Sequence, residues 1–193
     1  LRLGINYGID RKKMMKYLRI YFNEDYRMFQ NAASFLAIIG AIGHLLFYFV
    51  LKDVFGFWES FPLRMMAVIL FLSLLLLPRD HKLKLRKVIY LESALALTFP
   101  FLFNVYLFES GCSTYWSASV IFSALLYGLF SNPARSMVLY PLSYVAAFWF
   151  VSVVHGNPVE NELLVQSLQI NFPAYFILFF ISVVQAIINN AYS

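Results

Sequence analysis

Four polar residues in one apolar stretch, Trp116, Ser119, Ser123 and Tyr127, follow one another at steps of three, four and four. On a helix that spacing lines up an indole N–H, two hydroxyls and a phenol along one face. Their neighbours Val120, Ile121, Phe122, Leu125 and Leu126 belong in lipid, so the polar face must look inward, at other helices or at a ligand. The chemistry on offer is hydrogen bonding. The sequence contains no G-x-S-x-G, no H-E-x-x-H, no paired acidic motif, no P-loop and no Cys/His cluster with metal-ligand spacing. Neither a catalytic residue nor a cofactor or metal is expected in this chain.

Other polar residues fall inside apolar runs. Gly40, His44 and Tyr48 share a face at i, i+4 and i+8, with Gly43 alongside. His44 either reads a ligand or a proton, or serves as an inter-helix hydrogen-bond donor. Pro100 must leave the carbonyl of Ala96 without its helical partner, and Asn104 follows one turn later, either bridging helices or binding a ligand. Glu92, just past a basic run ending at Lys87, reads as a paired interfacial charge. Asn171, Tyr175, Ser182, Gln185 and Asn189 form a second polar stripe, suited either to signal transmission or to helix packing.

The elements that must position these residues are transmembrane helices. Of the 193 residues, 61% are apolar and only 13% charged, which excludes an ordinary soluble domain. That length holds about six spans of ~20 residues, and the apolar runs fall at 31–51, 62–78, 88–108, 115–131, 137–154 and 168–188. Residues 1–30 read as a cytoplasmic basic segment whose 9–30 portion is an amphipathic interfacial helix. Residues 31–189 form the six-span domain, and 190–193 begin a cytoplasmic connection to a further region. The lone Cys112 has no internal disulfide partner.

Charge sets the orientation. With the N-terminus inside, Arg2, Arg11, Lys12, Lys13, Lys16, Arg19, Arg27, Arg79, Lys82, Lys84, Arg86, Lys87 and Arg135 fall on the cytoplasmic side. Only Lys52 and Arg64 fall outside, together with Asp53, Glu59, Glu109, Glu160 and Glu162. The expected fold is therefore an all-α, integral-membrane six-helix bundle with both termini in the cytoplasm. The net charge of +5 reflects this topology and contact with anionic lipid, not nucleic-acid binding.

The order of motifs resembles the six-span sensor domain of bacterial quorum-sensing histidine kinases that detect α-hydroxyketone autoinducers, the CqsS and LqsS type. The resemblance is carried by GAIGHLLFYF at 40–49, WESFPLR at 58–64, the basic loop after PRD, FPFLFNVYLF at 99–108, STYWSAS at 113–119 and NFPAYF at 171–176. It implies ligand-determining roles for Trp116 and Ser119. It also implies roles for Tyr175 and Ile177, where the family has two aromatics, and for a tail-sensing position at Gln185, where the family has a small residue.

Together these features make a receptor domain the expected function. Its pocket, in the outer half of the membrane, is expected to use His44, Asn104, Trp116, Ser119 and Tyr175, with an alkyl tail against Phe176, Ile177 and Phe179. The expected partners are a small amphipathic signal, the lipid bilayer of the bacterial inner membrane and a second copy brought by the parent kinase. The competing readings are a small transporter or half-transporter, which lacks visible repeat symmetry here, and a structural membrane subunit whose stripes only pack helices.

Overall fold

The computed structural model describes residues 35, 37–54, 59–76, 84–154 and 159–191. The expected interfacial helix within 1–30 and most of the basic loop after PRD lie outside these residues. What is described is helical, with no strand among the described residues. Helix α1 runs Ala37–Val54 and ends in a π-helical turn over Val50–Val54. Helix α2 is Phe61–Ser73 with a 3-10 extension Leu74–Leu76. Helix α3 runs Lys84–Ala96, widens into a π-helical segment Leu97–Phe101 and finishes as Leu102–Glu109. Helices α4, α5 and α6 are Thr114–Phe130, Pro133–Val154 and Asn161–Ala191.

Four of these helices contain stretches long and apolar enough to cross a membrane: Ala37–Val54, Val88–Glu109, Ala134–Val154 and Asn161–Ile188. Phe61–Leu76 and Thr114–Phe130 are apolar but shorter. The outer surface agrees with a lipid environment. Leu76, Trp149, Phe172, Phe176 and Phe180 are each more than 60% exposed, an apolar periphery that water would not tolerate on a monomeric soluble protein.

Helix α3 is the axis of the bundle. Within its apolar window 72% of residues are buried, against 22–28% for the other three long helices. It feeds both apolar cores. Leu91, Leu95, Leu102 and Tyr106 join α1, α2, α4 and α6, while Phe101, Val105 and Phe108 pack with Ala147 and Val151 of α5. The Pro100 break resolves as the sequence requires. The freed carbonyl of Ala96 accepts from Ser143 Oγ of α5 at 3.4 Å, and the carbonyl of Pro100 accepts from Asn104 Nδ2 at 2.7 Å. In a medium without water, such side chains are the means of satisfying a broken ladder.

The turn Ser110–Ser113 joins α3 to α4 through two left-handed residues, Gly111 at φ 63° and Cys112 at φ 57°. Their amides cap α3, Gly111 on the carbonyl of Phe108 and Cys112 on that of Leu107. Helix α5 begins four residues before its apolar run because Asn132 Oδ1 accepts from the Ala134 amide at 3.1 Å and Pro133 suits the first helical turn. Helix α6 likewise takes in the polar turn from Asn161 before its apolar run. Glu92 ties α3 to this junction, accepting from the Asn132 amide at 2.9 Å and lying 3.7 Å from Arg135. This is the paired charge expected of it.

Candidate functional site

The α4 stripe does look inward: Trp116, Ser123 and Tyr127 are buried, and Ser119 is half-buried. On one side of it, between α1, α2, α3 and α4, lies a cavity of about 570 Å³. Helix α1 can sit beside it because Gly40 carries no side chain. A Cβ on Gly40 would fall 2.6 Å from the ring of Phe71, whereas one on Gly43 would meet nothing within 4 Å. Helix α4 supplies Ser119, Phe122, Leu126 and Phe130 at steps of three, four and four, and α3 supplies Phe99 and Phe103 one turn apart. From Ser119 to Phe130 the wall runs about 16 Å at 1.5 Å per residue.

The polar groups gather at Arg64, early in α2. The guanidinium is 1% exposed and holds Glu59 in a two-pronged pair, Nε donating to Oε2 at 2.8 Å and Nη2 to Oε1 at 2.6 Å. Nη1 stands 2.9 Å from His44 Nδ1 of α1. A guanidinium can only donate, so Nδ1 accepts and the imidazole is the neutral tautomer with its proton on Nε2. Aromatic faces surround the cation, with the rings of Phe103, Tyr106 and Trp116 at 5.6, 4.8 and 5.7 Å from its central carbon. The Tyr106 hydroxyl in turn donates to the Ser60 carbonyl. Three of the five guanidinium N–H groups are thereby used. Among the described residues, one N–H on Nη1, one on Nη2 and the Nε2–H of His44 have no further partner, and Arg64 and His44 both line the cavity. Ser119 Oγ donates to the Tyr115 carbonyl at 3.0 Å and also meets the Tyr115 hydroxyl, leaving one lone pair of its oxygen to accept.

Of the residues expected in one pocket, His44 and Ser119 are brought together on this cavity. Trp116 is not among the lining residues; it is 1% exposed, its ring tilted 31° against that of Tyr106 with centroids 4.5 Å apart. Asn104 leaves α3 on a different side from Phe99 and Phe103. It is fully buried and accepts from Asn171 Nδ2 at 2.8 Å, while Tyr140 donates to Asn171 Oδ1 at 2.9 Å. Tyr175 packs on Tyr140 and donates to the Met137 carbonyl, and Gln185 donates to the Gly128 carbonyl of α4. Phe176 and Phe179 are exposed on the periphery and Ile177 is half-buried. The aromatic wall of the cavity comes instead from Phe71, Phe99, Phe103, Phe122 and Phe130.

Arg64 and Glu59 are the residues of this site that sequence reasoning passed over, having counted them as outer-side charges. The signal was present. An arginine inside FPLRMMAVILF needs a partner at membrane depth, and Glu59 stands five residues before it. Comparison with family models, with curated proteins and with solved structures gives no match for this chain.

Proposed function

We propose that the chain is the sensor domain of a membrane receptor for a small, uncharged amphipathic signal of the α-hydroxyketone class. The observation that carries the reading is the cavity itself, a long aromatic wall joined to one cluster of hydrogen-bonding groups. An α-hydroxyketone has two adjacent oxygens and a single O–H. Its carbonyl suits the free N–H groups of Arg64 and His44, its hydroxyl can donate to Ser119 Oγ, and its alkyl chain suits the phenylalanine wall. Burying that chain contributes roughly 25 cal/mol per Å² of apolar surface, so affinity rises with tail length until the wall is filled.

The finer topology belongs to the same proposal: six spans, including the two short helices with little tilt, both termini cytoplasmic, in the bacterial inner membrane. The distribution of Lys and Arg supports it. The resemblance implies a histidine kinase as the output partner and a dimer formed through that kinase. A ligand can move such an output only by binding one bundle arrangement better than another.

The test is thermal stability of the purified chain in detergent against α-hydroxyketones of graded tail length, with Ser119→Ala alongside. A saturating ligand at 100 times its Kd adds about 2.7 kcal/mol to the folded state. A saturable, tail-dependent rise in Tm, weakened in Ser119→Ala, supports the proposal. Folded protein with no shift for any tail length refutes it.

A further inference from the structure

We infer that this cavity selects electrically neutral head groups and turns away carboxylates, and that Glu59 sets the selection from behind Arg64. The inference rests on the cavity being the ligand site of the proposed receptor.

A buried arginine beside an aromatic-lined cavity suggests at first a fatty-acid site. The charge count argues otherwise. Glu59 has a fully buried side chain and spends both oxygens on the guanidinium, so the pair carries no net charge. His44 is neutral by its hydrogen bond from Arg64. An entering carboxylate therefore meets no uncompensated cation. It would either sit beside Glu59 as a second anion in a low-dielectric site, or displace Glu59 and leave that carboxylate buried and unpaired. An ammonium head is no better placed, because Arg64 and His44 face it only with N–H groups.

A neutral carbonyl or ester oxygen suffers neither penalty. It can accept from Nη1, Nη2 or His44 Nε2 without disturbing the pair. The rings of Phe103, Tyr106 and Trp116 hold the guanidinium from other directions, so it stays in place when Glu59 is neutralised. Glu59→Gln is thus the informative substitution. It keeps the shape and one acceptor oxygen while exposing a net positive charge to the cavity.

The experiment compares three probes of equal, medium chain length on the purified chain in an uncharged detergent: an α-hydroxyketone, a methyl alkanoate and the corresponding alkanoate. Each is titrated by thermal shift against wild type and Glu59→Gln. Wild type is expected to bind the two neutral probes and to bind the alkanoate at least tenfold more weakly than the ester. Glu59→Gln is expected to gain alkanoate affinity at least tenfold. Alkanoate binding to wild type as tight as the ester overturns the inference, as does a folded Glu59→Gln protein without the gain. Should that variant not fold, the ester against the alkanoate on wild type decides alone. Failure of both neutral probes also overturns the inference. Binding of the ester without the α-hydroxyketone removes only the ketone reading of the site and upholds its neutrality.

Discussion

Breaking the Arg64–Glu59 pair from one side should cost far more than removing it altogether. The two side chains are 1% and 0% exposed and meet through contacts of 2.6 and 2.8 Å, so either single substitution strands a charge in a medium that solvates it poorly. Glu59→Leu leaves the guanidinium with only His44 and the aromatic faces. Arg64→Met leaves the carboxylate with no countercharge and also removes the cation from three rings. Each single change is expected to destabilise by about 3–5 kcal/mol. The double variant replaces the pair with apolar groups of comparable volume and is expected to fall within about 2 kcal/mol of wild type. The coupling energy is then at least about 4 kcal/mol, well above the 0.5 kcal/mol within which independent sites add. Reversible unfolding of all four proteins in mixed micelles measures it. A double variant that loses the sum of the two singles would refute a desolvated, mutually compensating pair, and with it the neutrality on which head-group selection rests.

Two further outcomes follow from local geometry. Gly40→Ala places a Cβ 2.6–2.7 Å from three ring atoms of Phe71, which is buried and lines the cavity. The substitution should lower stability by about 1–3 kcal/mol and weaken ligand binding, whereas Gly43→Ala, with nothing within 4 Å, should stay close to wild type in thermal unfolding; equal effects would argue against this packing of α1 on α2. Burial pushes the Cys112 thiol up from 9.0 to about 11, so at pH 8 its alkylation by iodoacetamide should run about 100-fold slower than that of an unperturbed thiol, because the thiolate is the nucleophile. The rate should keep rising with pH to about 11, and the neutral thiol's contribution to folding should fade from pH 9.0 to about 11; a rate that levels off near pH 9 would place this turn in water.

Periodicity made the helices and their polar faces legible, since a stripe at Trp116, Ser119, Ser123 and Tyr127 can only turn inward when its neighbours are lipid-seeking. Pro100 was legible for the same local reason: a missing N–H orphans a named carbonyl, and Ser143 takes it. The grouping of the site was less so. Counting residues along a helix gives depth, and by depth Asn104 and Tyr175 belong with His44. It does not give azimuth between helices, and one step from Phe103 to Asn104 turns about 100° around α3, from the cavity to the α5–α6 side. Arg64 was missed because a charge near a span end satisfies an orientation count without any partner being sought. Only packing α1 against α2 brings His44, twenty positions away, onto the same guanidinium.

The two sets of polar residues that the sequence suggested as one pocket are joined through α3. Phe99 and Phe103 face the cavity from within and just beyond the π-helical segment, and Asn104, adjoining Phe103, fastens that part of α3 to Asn171 of α6. The segment is the place where α3 departs from regular α-helical hydrogen bonding in its buried interior, and the carbonyls of Ala96 and Pro100 at and beside it also accept from side chains, Ser143 and Asn104. On the proposed reading, a tail that packs against Phe99 and Phe103 favours one setting of this segment. The neighbouring Asn104–Asn171 contact then converts that preference into a position of α6, the last helix of the bundle. The Arg64–Glu59 pair has a different task. An apolar pair would hold α2 nearly as firmly, so on the proposed reading the buried charges serve to present the N–H groups of Arg64 to a ligand, whose head group would be recognised at α2 and whose tail would be felt at α3.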